Sequence, residues 1–283
     1  MALNPTFTTD PALARIRVIA SDMDGTLLDD AGALPPGIDE LIEALARASI
    51  TFCPASSRPR YVLERLFSAH RGHLGIIADN GADVSYAGRT LSRAELARDT
   101  WSDVLARARK APVTSVPLLG SFGATYAPQS ERAHDAVLSS YYDAPTYTDN
   151  LTRVDAPIDK VTFYCPDGDA ARLRDTLRPA LEDALSITTA GVAWLDVMAA
   201  DVTKATGLAA ICDHLGIDLA DAAAFGDGEN DVQMLATVGH GFAMANAEPS
   251  AQASARFVAP SNSEHGVTQV MRAILDARRG TAS

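Results

Sequence analysis

The stretch Ala20-Ser-Asp-Met-Asp-Gly-Thr-Leu-Leu28 decides how this chain reads. It sets two carboxylates, Asp22 and Asp24, directly behind the apolar run Ile16-Arg-Val-Ile-Ala20 and follows them with a glycine and a threonine. The run predicts a short, largely buried strand. In an open α/β sheet the aspartates then emerge at its carboxyl end, the edge where such sheets bind ligands. A carboxylate such as Asp22 can attack phosphorus and carry an aspartyl-phosphate, while a second carboxyl two residues on, Asp24, can protonate the leaving oxygen and later activate water. Two like charges this close call for a cation between them, and hard oxygen donors of this kind suit Mg²⁺. Taken alone, the pair fits a polar turn with an aspartate capping a helix at least as well.

Composition narrows the field. With 283 residues, 47% hydrophobic and 21% charged, the chain has enough apolar content for one large domain or two modest ones. The formal net charge of −12 and the lack of a basic stripe argue against nucleic-acid binding. The most basic stretch, Arg89 to Lys110, carries Glu95, Asp99 and Asp103 at helical spacing and reads as a solvated helix face. No long uninterrupted apolar run predicts a membrane span, and the N-terminus lacks a basic segment followed by an apolar one, so a soluble cytoplasmic protein is expected. Cys53, Cys165 and Cys212 lie far apart with no CxxC pairing, which argues against a disulfide framework or a zinc site. His70, His73 and His134 have no carboxylate or cysteine partners at motif spacing and read as surface or core residues.

Apolar runs and helical patterns alternate from Ile16 to Ala78 and again from Lys204 to Arg278, which predicts a doubly wound parallel sheet split into two halves. Between them the texture changes to short extended runs, two helical stretches and scattered prolines, as expected of a smaller α+β domain inserted into the first. The expected division is core 1–85, inserted domain 86–198 and core 199–283.

Three further elements join the first. Phe225-Gly-Asp-Gly-Glu-Asn-Asp231 repeats its design, with acidic residues after an apolar run. Gly226 and Gly228 permit tight backbone near a ligand, Asp227 is a candidate to complete a Mg²⁺ site with Asp22, and Asn230 and Asp231 are candidates to order metal-bound water or phosphate oxygen. In Ile50-Thr-Phe-Cys-Pro-Ala-Ser-Ser-Arg58, Ser56 is a candidate phosphate-binding hydroxyl at a helix start, with a plain helix cap as the alternative. Lys204, just after the insertion, is a candidate to neutralise Asp22 and a transferring phosphoryl group, with a solvated helix charge as the alternative.

These elements, in this order, resemble the haloacid dehalogenase superfamily of phosphohydrolases. The pieces Asp79-Asn-Gly-Ala82 and Ser263-Glu-His-Gly-Val267, with an insertion between the second and third motifs, resemble its Cof-type subfamily with a large α/β cap. The resemblance spans nearly the whole chain. It implies that Asp22 is the nucleophile, that Asp24 is the general acid/base and a metal ligand through its backbone carbonyl, and that Ser56 binds phosphate. It further implies that Lys204 stabilises charge, that Asp227 binds Mg²⁺ with Asn230 and Asp231 in support, and that Ser57, Arg58, Asn80 and Asn230 lie at the substrate. One departure stands out: relatives of this type carry Thr-Gly-Arg where this chain has Ser56-Ser57-Arg58, so serine replaces a flexible glycine. The expected activity is Mg²⁺-dependent hydrolysis of a small phosphorylated metabolite, sugar phosphates first, then phosphorylated cofactors or nucleotides, by a monomer or small homo-oligomer. Phosphomutase or phosphotransferase chemistry on the same architecture and a catalytically quiet binding protein are the alternatives.

Overall fold

The computed structural model describes residues 10–281. The first part of the core runs β1 (Val18–Ser21), α1 (Ile38–Arg47), β2 (Thr51–Pro54), α2 (Arg60–Leu66), β3 (Gly75–Ala78), β4 (Asp83–Tyr86) and β5 (Arg89–Arg93). The insertion follows as α3 (Arg98–Ala108), β6 (Val116–Ser121), β7 (Ala124–Pro128), α4 (Asp135–Tyr142), β8 (Thr146–Thr148), β9 (Ile158–Tyr164), α5 (Ala170–Leu181), β10 (Leu185–Ala190) and β11 (Trp194–Ala199). The chain then returns to the core through α6 (Lys204–Leu215), β12 (Ala222–Gly226), α7 (Val232–Thr237), β13 (His240–Met244), α8 (Pro249–Ser254), β14 (Phe257–Ala259) and α9 (Gly266–Thr281).

The core sheet has the order β14-β13-β12-β1-β2 and all its pairings are parallel. A parallel bridge from Ala55 to Ile77 hands it on to the antiparallel ribbon β3-β4-β5. β1 sits between β2 and β12 and is buried at all four positions, as a strand covered on both faces must be. α1 covers the sheet with Ile38, Leu41, Ile42 and Leu45, a helical stripe that explains its amphipathic sequence.

The insertion is a six-stranded sheet in the order β10-β11-β9-β6-β7-β8, antiparallel except for the parallel pair β7–β8. Period-two alternation along β9 divides the labour: Val161 and Phe163 join the apolar cluster with Trp101 and Val104 of α3 and Leu173 and Leu177 of α5, while Lys160 and Thr162 make polar contacts beside the core. Two expectations from the sequence need correction here. Arg89–Arg93 is not helical but forms β5, hydrogen-bonded to β4, so this strand pairs with the core-side ribbon rather than with the inserted sheet. The helix that follows is not a solvated face throughout, because Trp101, Val104 and Ala108 are buried.

Candidate active site

Loops leaving β1, β2, β3 and β12 meet at the carboxyl edge of the parallel strands. Asp22 is the first residue past β1, and its N–H donates to the Phe225 carbonyl at 3.0 Å, which seats the β1 loop against β12. Gly25 has φ +78°, and a Cβ there would lie 2.4 Å from Asp227 Oδ2, so only glycine lets these two loops touch. Thr26 Oγ1 donates to Asp227 Oδ1 at 2.8 Å, a contact across 201 residues of sequence.

Lys204 occupies the first turn of α6, behind a capping box in which Thr203 and Thr206 satisfy each other's backbone N–H groups. The cap fixes the helix start and so aims the lysine. Its ammonium is fully buried and donates to Asp22 Oδ1 at 2.5 Å and Asp231 Oδ1 at 2.7 Å. The second oxygen of Asp231 accepts the N–H groups of Asp227 and Gly228, each at 3.0 Å. Asp231 therefore holds both the lysine and the Gly-Asp-Gly turn in place.

Asp22, Asp227 and Asp231 present carboxylate oxygens within 4.8 Å of one another. One ammonium faces three carboxyls, and the imbalance is visible at Asp22 and Asp227. Burial holds Asp22 well above the usual carboxylate range; Lys204 pulls it down, and Asp231 and Asp227 push it further up. Asp227 is pushed up to about 6, first by burial and then by Asp231. For Lys204, burial disfavours the charge, but Asp22 and Asp231 outweigh it and keep its pKa above the ordinary lysine value.

The other residues singled out from the sequence fall around this centre. Ser56 is buried, and its Oγ accepts the Arg58 N–H at 3.1 Å, a local turn ahead of α2. The Ser57 carbonyl accepts a hydrogen bond from Lys160 of the insertion. Arg58 grips Asp24 with two nitrogens, at 2.9 and 2.7 Å, donates to the Ser140 carbonyl at 3.0 Å and stacks on the Tyr141 ring at 4.6 Å. Asn80 donates to Asp196 Oδ2 at 2.8 Å and accepts from Asn230 Nδ2 at 3.0 Å. Asn80 and Arg58 thus tie the core to the inserted domain.

Sequence reasoning missed several members of this assembly. Lys160 and Asp196 are buried on adjacent cap strands; Lys160 pairs with Asp79 at 3.0 Å, and Asp196 takes the Thr162 hydroxyl at 2.6 Å. Their signal is a charged residue inside a strand pattern, which is rare in a core unless paired. Glu229, in the Gly-Asp-Gly-Glu-Asn-Asp run itself, reaches the cap. One of its oxygens accepts from Arg174 Nη1 at 2.7 Å, Thr189 Oγ1 at 2.5 Å and Thr189 N–H at 3.1 Å, and the other from Arg178 at 3.4 Å. Between the two domains lies a cleft of about 250 Å³, with Asp22, Asp24 and Asp227 on the core side and Tyr141, Ala190 and Gly191 on the cap side.

Among the described residues, no helix is long and apolar enough to cross a membrane. The chain is 28% identical over 261 residues to 5-amino-6-(5-phospho-D-ribitylamino)uracil phosphatase of Escherichia coli K12, covering 92% of this chain and 96% of that protein. It is 31% identical over 236 residues to the HMP-PP phosphatase of Enterobacter sp. strain 638, covering 82% and 85%. A solved structure from Streptococcus mutans UA159 superposes with a TM-score of 0.84 at 26% identity, covering 95% of this chain and all of the other. The haloacid dehalogenase-like hydrolase family model matches residues 19–271, from the middle of β1 into α9 and across the whole cap. The chain belongs to the haloacid dehalogenase-like hydrolase family.

Proposed function

We propose that this protein is a Mg²⁺-dependent phosphatase that removes phosphate from a small phosphorylated metabolite, sugar phosphates foremost, through an aspartyl-phosphate on Asp22. The observation that carries the reading is the buried Asp22–Lys204–Asp231 constellation, with Asp24 two residues on and the cleft in front. The similar phosphatases from E. coli and Enterobacter act on compact phosphorylated compounds, by their names, and support the substrate class.

The donor set suits a hard divalent cation. Three carboxyls converge with one compensating ammonium, and the raised pKa values of Asp22 and Asp227 express the same demand for positive charge. Asp22, Asp227 and the Asp24 carbonyl would hold Mg²⁺, with Asp231 positioning them. When bound, the ion supplies charge neutralisation between the nucleophile and the phosphoryl oxygens.

The chain's own groups account for the rest. Lys204 keeps Asp22 oriented and favours its ionised form as its free oxygen attacks phosphorus. The leaving alkoxide takes its proton from Asp24, which then removes one from the water that cleaves the acyl phosphate. In the arrangement described above, Arg58 occupies both Asp24 oxygens. A phosphoryl group entering the cleft competes for that guanidinium and frees Asp24 to carry a proton. The cap closes the cleft and sets which leaving groups fit.

The test is release of inorganic phosphate from a panel of sugar phosphates, nucleotides and phosphorylated cofactors, with Mg²⁺ and with chelator, for wild type and Asp22→Asn. Metal-dependent release that vanishes in the variant is expected. Near-normal turnover in Asp22→Asn would overturn the assigned nucleophile, and no release from any compound would favour phosphotransfer to another acceptor or a binding role.

A further inference from the structure

The histidines that sequence spacing leaves without partners are not ordinary surface residues. His70, in the turn after α2, is 2% exposed. Its Nδ1 lies 3.0 Å from Glu43 Oε1 of α1, and its Nε2 lies 2.7 Å from Asp39 Oδ1, one helical turn earlier. His73 places its Nε2 3.5 Å from the same Glu43 oxygen, and that nitrogen is buried with no hydrogen-bond partner. The His73 N–H donates to the His70 carbonyl at 3.1 Å, a tight turn that sets the two rings edge to face with centroids 5.6 Å apart. One ligand atom from each of Glu43, His70 and His73 lies within 4.8 Å of the others.

The protonation logic is restrictive. Ionised Asp39 only accepts, so His70 Nε2 is the donor of that contact. In the neutral ring Nδ1 then presents a lone pair toward a carboxylate oxygen 3.0 Å away, with a second imidazole nitrogen beside them. Three electron-rich atoms facing one point need a positive charge there. A proton on His70 Nδ1 answers for one pair, and an N–H on His73 Nε2 would face Glu43 Oε1 at 3.5 Å, where no hydrogen bond forms. A metal ion answers for all three.

The dimensions fit. A tetrahedral ion bonded at about 2.0–2.1 Å spaces its donors roughly 3.3 Å apart, and here the separations from Glu43 Oε1 are 3.0 and 3.5 Å. The Asp39–His70 contact is the outer carboxylate that commonly fixes the tautomer of a metal-ligating histidine. Glu43 and His73 keep 44% and 34% of their side-chain surface exposed, which leaves an entry path and room for water as a fourth ligand.

We propose that Glu43, His70 and His73, oriented by Asp39, form a binding site for a divalent transition metal of the Zn²⁺ class. Two imidazoles and one carboxylate favour Zn²⁺ or Co²⁺ over Mg²⁺, which prefers the all-oxygen set at the phosphoryl site. The site pins α1 to the turn after α2 and acts on stability rather than on turnover.

The experiment uses the full chain, stripped with chelator, returned to excess Mg²⁺ and titrated with Co²⁺. One equivalent should bind with visible d–d absorption of a four-coordinate nitrogen/oxygen site, Zn²⁺ should displace it, and Zn²⁺ should raise the melting temperature. His73→Ala and Glu43→Gln should each lose the absorption and the thermal shift while their Mg²⁺-supported turnover stays at the wild-type level. Asp39→Asn should weaken binding about 10–100-fold. Asp227→Ala, altered only at the phosphoryl site, should keep the Co²⁺ spectrum. Absence of the equivalent in wild type, its persistence in both His73→Ala and Glu43→Gln, or its loss in Asp227→Ala would overturn the proposal and leave His70 a structural residue held between Asp39 and Glu43.

Discussion

Replacing Glu229 with alanine should loosen the cap from the core without touching the reacting groups. One oxygen of Glu229 collects Arg174, the Thr189 hydroxyl and the Thr189 N–H, and the last of these belongs to β10, the edge strand of the cap sheet. An edge N–H facing away from its neighbour strand needs a partner, and here the partner comes from the other domain. Hydrogen bonds to a charged acceptor contribute about 1.5–3 kcal/mol each. Glu229 and Arg174 retain 26% and 20% of their side-chain surface, and in the open state water replaces these bonds. Allowing for that screening, the three together favour the docked cap by roughly 2–3 kcal/mol, about 30- to 150-fold in the closed-to-open ratio. The contacts Arg58–Ser140, Asn80–Asp196 and Lys160–Asp79 remain, so the cap stays attached on its other side. The direct assay is amide hydrogen exchange at Thr189, whose protection should fall by that factor, with KM rising in parallel. Glu229→Gln keeps a neutral acceptor and should fall less. Unchanged exchange at Thr189 in Glu229→Ala would refute the claim that this carboxylate holds the cap.

Other outcomes follow from the same geometry. Asp227, pushed up to about 6 in the metal-free protein, takes up a proton below that pH. Mg²⁺ affinity measured calorimetrically should therefore fall as pH drops through 6, and Asp227→Ala should lose that part of the pH dependence and need excess Mg²⁺ for turnover. Asp159 is buried with neither carboxyl oxygen hydrogen-bonded, and burial raises its pKa well above the usual 3.8, with Asp79 adding to the rise. A raised carboxyl means that the folded state holds a proton the unfolded chain has released, so its contribution is intact below pH 3.8 and is lost as pH rises. Asp159→Asn should therefore stabilise the protein at pH 7 by about 1–3 kcal/mol, read as a higher melting temperature, with the gain vanishing near pH 4. A gain that grew toward acid would refute the assignment. Ser57→Gly leaves the backbone carbonyl that Lys160 uses and should alter KM across the phosphate panel rather than abolish turnover.

The parallel core and the residues at its carboxyl edge were legible because each motif announces itself locally: an apolar run, then acids, then glycine or a helix start. Asp22, Lys204 and Asp231 converge as that reading expects, although 182 residues separate the first two. What escaped was whatever depends on pairing across elements. Lys160 and Asp196 look like solvated charges until the cap sheet lays its polar face on Asn80 and Asp79. Glu43 and His70 are 27 residues apart, and no motif spacing connects a helix face to a later turn. β5 resembled the start of a helical face because its five residues, Arg89–Arg93, are mostly exposed and carry no apolar alternation strong enough to mark a strand. Ser56 Oγ accepts the Arg58 N–H, the local hydrogen bond that serine offers wherever the backbone turns, and this leaves its own proton to donate.

The order of strands in the core sheet also governs how the chain comes together during synthesis. β1 lies between β2 and β12, yet β12 leaves the ribosome about 200 residues after β1, once the entire cap has been made. Until then one side of β1 presents unpaired amides and carbonyls, and Asp22 waits without Lys204 or Asp231. The cap sheet is contiguous in sequence and closes on its own neighbours in the interval. A nascent chain halted near residue 200 would thus carry a finished cap on a core with an open, sticky margin, the state most exposed to aggregation. Activity is a late property of the chain, since the proposed nucleophile, Asp22, precedes the cap and Lys204 and Asp231, which hold it, follow the cap.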